Sequence, residues 1–199
     1  MKRQEIRTWA RKTFAIQDRF DELTKWAFEK RFPIIGFLLL GIVALLLSTV
    51  LKELFLVAAF IGLGASSMFY NRFIRTSLGF ELITLGVVIT GLLYGPAISV
   101  FVGFFSLLIA ELITGSLQHK TVVSFAGIIT IGILTQFFKD TPITTAGIAI
   151  TIIYDAIIVP GYLLLGSNPL RTGLFLATHI AFNFWVFTTI APPLFELLH

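Results

Sequence analysis

The sequence predicts an all-α fold: a polytopic transmembrane helix bundle of six or seven spans, residues 33–199, preceded by a basic amphipathic helix over residues 1–32. Three observations carry this prediction. Of the 199 residues, 56% are hydrophobic and 13% charged, against roughly 45–50% apolar residues in an ordinary soluble domain. From Pro33 onward, apolar runs approach the ~20 residues that a helix needs to cross the hydrocarbon core. Nine of the fifteen Lys and Arg residues precede those runs, between Lys2 and Arg31.

The N-terminal element follows from spacing. Trp9, Ile16, Phe20, Leu23 and Ala27 recur on one helical face, with Lys12, Arg19, Lys25 and several acids between them, as in a helix lying on a membrane surface. Two roles are open to it: an interfacial anchor, or a docking helix for cytoplasmic or membrane partner subunits. The formal net charge is +4, and its basicity is concentrated in this segment. Five interleaved acids make it a poor tracker of phosphates, so no nucleic acid is expected, and anionic headgroups of the lipid bilayer are the simpler partner. No cleavable signal peptide is expected, because the first apolar run starts only at Pro33 and no small-residue cleavage site follows it.

Seven apolar segments follow in order: Pro33 to Leu51, Leu54 to Tyr70, Leu78 to Tyr94, Ala97 to Leu117, Val122 to Phe138, Ile143 to Leu165, and Thr172 to Ile190. Breakers and charges mark the connections: Asn71 to Thr76, Gly95-Pro96, Gln118 to Lys120, Lys139 to Pro142, and Gly166 to Arg171. A hairpin at Lys52-Glu53 separates the first two segments, although nothing between Ser48 and Phe55 breaks a helix. With seven alternating spans and the N-terminus cytoplasmic, thirteen Lys and Arg lie inside against Lys52 and Lys139 outside. That bias satisfies the positive-inside rule in a multi-pass protein of the cell membrane.

Ionisable and polar residues within the spans are the functional candidates, since each costs roughly 2.5–3.5 kcal/mol at a helix centre. Asp155 lies mid-span beside Tyr154, and five residues on, Pro160-Gly161 is expected to interrupt the helix. Such a break is tolerated only where it is buried in protein or lines a cavity. Asp155 therefore suits either a bound substrate or proton, or a hydrogen bond to another helix. His179 and Asn183, at i and i+4, share a helix face next to Thr178 and can hold a ligand or join helices. Glu81 and Glu111, near span ends, are read as interfacial, with Glu111 retained as a candidate ligand group. The candidate substrate-binding set is thus Asp155, His179, Asn183, Tyr154 and Glu111, and the spans from Leu54 to Ile190 are expected to enclose one polar cavity containing Asp155 and His179 near mid-membrane. The absence of Cys excludes disulfides and thiolate chemistry, His119 reads as a loop residue, and neither metal nor other cofactor is expected.

The third and fourth segments carry the most patterned stretch. Gly91 and Gly95 form a small-xxx-small pair for close helix contact, Pro96 forces the turn, and Gly103 with Ser106 keeps the next helix thin. The run Gly91 to Gly103 resembles the Gly-Pro hairpin between the second and third helices of the substrate-binding S components of energy-coupling-factor vitamin transporters. The compact spans, with Asn183 and Pro192-Pro193 in the last, are also similar. The resemblance implies that six spans from Leu54 onward form a substrate-binding core and residues 1–51 an addition. It further implies high-affinity capture of a vitamin-like micronutrient, with ATP hydrolysed by separate subunits. It also places the start of the core and the Gly-Pro turn on the cytoplasmic side, opposite to the seven-span charge count, so residues 33–70 decide between them.

Two other classes compete. A membrane scaffold similar to the MreD rod-shape proteins would use a filled bundle to hold partners. An intramembrane hydrolase is suggested by His179-Ile-Ala-Phe-Asn183, which looks like the His-xxx-Asn element of CAAX-type membrane proteases. The chain has no Glu-Glu pair to activate water, so it is expected not to be an enzyme.

Overall fold

The computed structural model describes residues 36–45, 47–48, 50–74 and 78–198. The chain divides into two compact units, Met1–Glu53 and Leu54–His199. The amphipathic segment expected over residues 1–32 lies outside the described residues. Among the described residues all regular structure is helical. Five helices are long and apolar enough to cross a membrane: Gly36–Arg72, Pro96–Thr114, Thr121–Phe138, Ile143–Leu164 and Pro169–Leu198.

The expected hairpin at Lys52-Glu53 is absent, because residues 50–67 form one unbroken helix. The reason is local. No Gly or Pro lies between Ser48 and Phe55, and two adjacent charges alone do not end a helix.

The second unit opens with α1, residues 54–67, followed by a 3₁₀ turn Phe69–Arg72. After it come α2 (Ile83–Tyr94), α3 (Pro96–Thr114), α4 (Thr121–Leu134, extended by a 3₁₀ turn Thr135–Phe138), α5 (Ile143–Leu164) and α6 (Pro169–Trp185). A π-helical segment, Val186–Ile190, joins α6 to α7 (Ala191–Leu198). The last apolar helix therefore runs past the expected end at Ile190. Pro192 and Pro193 donate no backbone hydrogen bond and crowd the carbonyls one turn back, and the widened π turn accommodates that loss.

The bundle is arranged around α2, which packs against α3, α4 and α5. With 12 residues it is only about 18 Å long, shorter than a bilayer core. Every residue from Ile83 to Gly91 is buried, so the neighbouring helices rather than lipid surround it. The outer faces are apolar: Phe101, Ile133, Ile152, Phe184 and Trp185 are exposed. A soluble domain does not tolerate such a belt, whereas lipid does. Several hydroxyls inside bond to backbone carbonyls. Thr90 Oγ1 donates to the Gly86 carbonyl at 2.6 Å, and Ser99 Oγ donates from α3 to the Val87 carbonyl of α2 at 2.6 Å.

The glycines named from the sequence act in two ways. A Cβ on Gly91 would meet Thr135 at 2.3 Å, and one on Gly103 would meet Val87 and Ile128 at 2.5 Å, so both allow close helix approach. A Cβ on Gly95 would meet nothing; Gly95 turns the chain with φ +93°, and Pro96 starts α3 at its first position. The closest approach involves a glycine not singled out from sequence. A Cβ on Gly147 would lie 2.0 Å from Phe187, a ring with no exposed surface.

Pro160-Gly161 does not interrupt α5, which continues to Leu164. One missing backbone donor near a helix end is a small perturbation, and Gly161 lets Val123 pack against the backbone there. Replacing Gly147 by Val is expected to destabilise the purified protein by about 1–3 kcal/mol through overpacking. A thermal melt in detergent reads this as a lowered Tm; an unchanged Tm would mean that α5 and the π segment are not packed as described.

Candidate functional site

The site is organised by a short non-helical stretch, residues 78–82, that the sequence assigned to a span. It is pinned on two sides. The Tyr70 hydroxyl donates to the Leu78 carbonyl, and Leu82 N donates to Ser67 Oγ at 2.9 Å. On the other side Gly79 N donates to Thr178 Oγ1 of α6 at 2.8 Å. Gly79 lies flush on α6: a Cβ there would sit 2.2 Å from His179 Cβ and 2.3 Å from its Cα.

That contact delivers Glu81 to the start of α2. Its carboxylate accepts from the backbone N–H groups of Ile83 and Thr84 and from Thr84 Oγ1 at 2.6 Å. Two otherwise orphaned helix donors are thereby satisfied, with the negative charge at the positive end of the helix dipole. The same carboxylate lies 3.0 Å from His179 Nε2. On the far side of the ring, Asp155 Oδ1 of α5 lies 2.8 Å from His179 Nδ1. This second contact is close but poorly aligned, and no well-directed hydrogen bond reaches either Asp155 oxygen among the described residues. Phe175, one turn back on α6, stacks on the imidazole with centroids 5.2 Å apart and planes 14° from parallel.

Glu81, His179 and Asp155 thus form one buried chain, with His179 wholly inaccessible. Both imidazole nitrogens face carboxylates. By helix rise the chain lies about 14–15 Å below the ends of α5 and α6 at the cavity mouth. Glu81 is therefore not interfacial. Its pairing could be suspected only from the Glu-Leu-Ile-Thr spacing, in which a carboxylate reaches the amide three residues on.

Above the chain a cavity of about 580 Å³ opens at the end of the bundle bearing the 115–120 and 165–168 loops. Glu81 and His179 form part of its floor, Tyr154, Tyr162 and Phe175 its aromatic wall, and Glu111 one side. Lys120, His119 and Arg171 line it nearer the loops. Glu111, one turn from the end of α3, is 9% exposed, and its Oε2 has no hydrogen-bond partner among the described residues. Ser124 Oγ and the Tyr162 hydroxyl share a hydrogen bond across α4 and α5. Asn168 caps α6 by accepting from Leu170 N at 2.9 Å and Arg171 N.

The expected cavity thus gathers His179, Tyr154 and Glu111, but not Asp155 or Asn183. Asp155 sits behind His179 and borders a separate apolar groove of about 280 Å³ between α5 and α6. Asn183 Nδ2 bonds back to the His179 carbonyl at 3.1 Å, and its buried Oδ1 has no partner among the described residues. The i, i+4 spacing correctly put His179 and Asn183 on one face, but their shared face is directed into helix packing. Tyr162, Phe175 and Ser124 were missed, because aromatic and small residues in apolar helices carry no signal that separates a cavity wall from core.

Removing the imidazole leaves two carboxylates buried without their common partner. His179→Ala is therefore expected to cost about 3–5 kcal/mol. The triple substitution Glu81→Gln, His179→Leu, Asp155→Asn should recover part of that loss, read as Tm in detergent. Equal losses in both would reduce His179 to a packing residue. No family model matches the chain, and no curated protein or solved structure matches it either.

Proposed function

We propose that this integral membrane protein captures a small organic molecule in the cavity above the Glu81–His179–Asp155 chain, as the substrate-binding component of an uptake system. The observation that carries this reading is the cavity itself. Its volume of about 580 Å³ falls in the range of small-molecule sites, and it has polar and aromatic walls inside a bundle whose outer faces are apolar. A scaffold that only holds partners calls for a filled core, so the cavity weighs against the MreD-like reading. A CAAX-type hydrolase calls for a Glu-Glu pair to activate water, and the chain has none. The resemblance to S components supports the same reading, with a vitamin-like micronutrient as substrate and ATP hydrolysed by partner subunits, for which residues 1–32 are the proposed contact.

The unbroken helix through Lys52 supports an orientation with the N-terminus cytoplasmic. With one span fewer, the nine N-terminal basic residues share a side with the Gly95-Pro96 turn and Lys139, while Arg72, Arg75, Lys120 and Arg171 lie on the other. Ten against four still satisfies the positive-inside rule. The N-terminus is then cytoplasmic in the cell membrane and the cavity opens outward, which removes the earlier conflict with the Gly-Pro turn.

Because the chain has no Cys, single cysteines report this orientation cleanly. In intact cells an impermeant maleimide is expected to label Ser116→Cys and Ser167→Cys, and Asp140→Cys only after permeabilisation. The reverse pattern would discard the proposed orientation. For capture, extraction of the purified full chain and mass spectrometry should yield one small polar molecule. Thr114→Trp, which places an indole in the cavity, should lose it. An extract with no such molecule, from protein that is folded and stable, would return the scaffold reading to first place.

A further inference from the structure

We propose that the molecule captured is an aromatic or heteroaromatic compound bearing a protonated nitrogen, and that Glu111 is the residue that holds this nitrogen. The inference rests on the capture reading above and names the chemistry of its ligand. Four observations converge on it. Glu111 is 9% exposed, lines the cavity, and has one carboxylate oxygen with no hydrogen-bond partner among the described residues. Buried acceptors are rarely left so, and a carboxylate least of all. The other carboxylate of the cavity, Glu81, is already engaged by Ile83, Thr84 and His179, so Glu111 alone has capacity to spare.

The remaining observations set the rest of the ligand. Tyr154, Tyr162 and Phe175 share the cavity with Glu111, and aromatic faces attract both flat rings and cations. The volume of about 580 Å³ suits an organic molecule rather than a bare metal ion, which would need more oxygen ligands than one carboxylate supplies. Lys120 is half-buried, and Arg171 and His119 are exposed. Lys120 and Arg171, nearer the loops, can accept an acidic substituent at the solvent end of the ligand without specifying the buried end. An anion placed against Glu111 would instead meet a like charge in a partly desolvated site.

The test uses matched probes that differ only in the charged end. Phenyl, pyridyl and indolyl rings, each carrying an ethylamine, an ethanol or a propionate chain, are titrated against the purified full chain while Tm is followed. The amine of at least one ring series is expected to raise Tm in a saturable way, with its alcohol and acid counterparts at least about tenfold weaker. Glu111→Gln should abolish the amine response, and Glu111→Asp, which keeps the charge, should retain part of it. If Glu111→Gln does not fold, the wild-type series and Glu111→Asp decide. Acids or alcohols that bind as well as amines, or an undiminished amine response in Glu111→Gln, would overturn the ligand class while leaving capture intact. If no amine responds, the co-purified molecule decides: a protonated nitrogen in it supports the inference and its absence overturns it. No response from any probe together with no co-purified molecule would overturn both readings.

Discussion

Both nitrogens of His179 face carboxylates, and this one contact ties together the parts of the bundle that are distant in sequence. Asp155 comes from α5 and His179 from α6, while Glu81 comes from the stretch leading into α2. An ion-paired group costs several kcal/mol to desolvate, and its attraction repays that only in close geometry. The surrounding chain is shaped to keep the geometry close: Gly79 has no side chain to hold the 78–82 stretch away from α6, and Thr178 accepts its amide. Glu81 is then fixed a second time by the α2 amides, so the floor of the cavity and the start of the central helix are one structure.

This has a functional consequence. A buried imidazole is ordinarily the first candidate for a base, a proton carrier or a metal ligand. Here its two nitrogens face carboxylates, so in the proposed reading a ligand meets the groups above it. Glu111 and the aromatic rings of α5 and α6 are the groups that remain. In the proposed reading the cavity holds a molecule, with charge at Glu111 and ring contact beside it setting selectivity.

The membrane setting shapes the remainder. Backbone groups in lipid must be satisfied internally, which is why hydroxyls such as those of Thr90 and Thr151 bond back to carbonyls one turn away. It also explains why a helix of only 12 residues can stand at the centre: its neighbours supply the burial that its length does not. Gly91, Gly103 and Gly147 bring those neighbours close enough to do so.

The sequence by itself determined the class of the protein, because hydropathy and length are properties of single segments and need no knowledge of packing. The Gly95-Pro96 turn and α3 through α5 were legible to within a few residues for the same reason. The polar positions of the spans were legible too, Asp155 and His179 among them, but not their roles. Which face of a helix meets lipid, cavity or another helix is set by the neighbours it packs against, and composition does not encode that. Only the tertiary structure replaced the Lys52 hairpin by one helix, moved Glu81 from the interface to the core, set Asp155 behind His179 and left Glu111 with an unpaired oxygen. Each of these depends on contacts between residues far apart in the chain, except the hairpin, where two charges looked like a boundary that the helical backbone had no reason to observe.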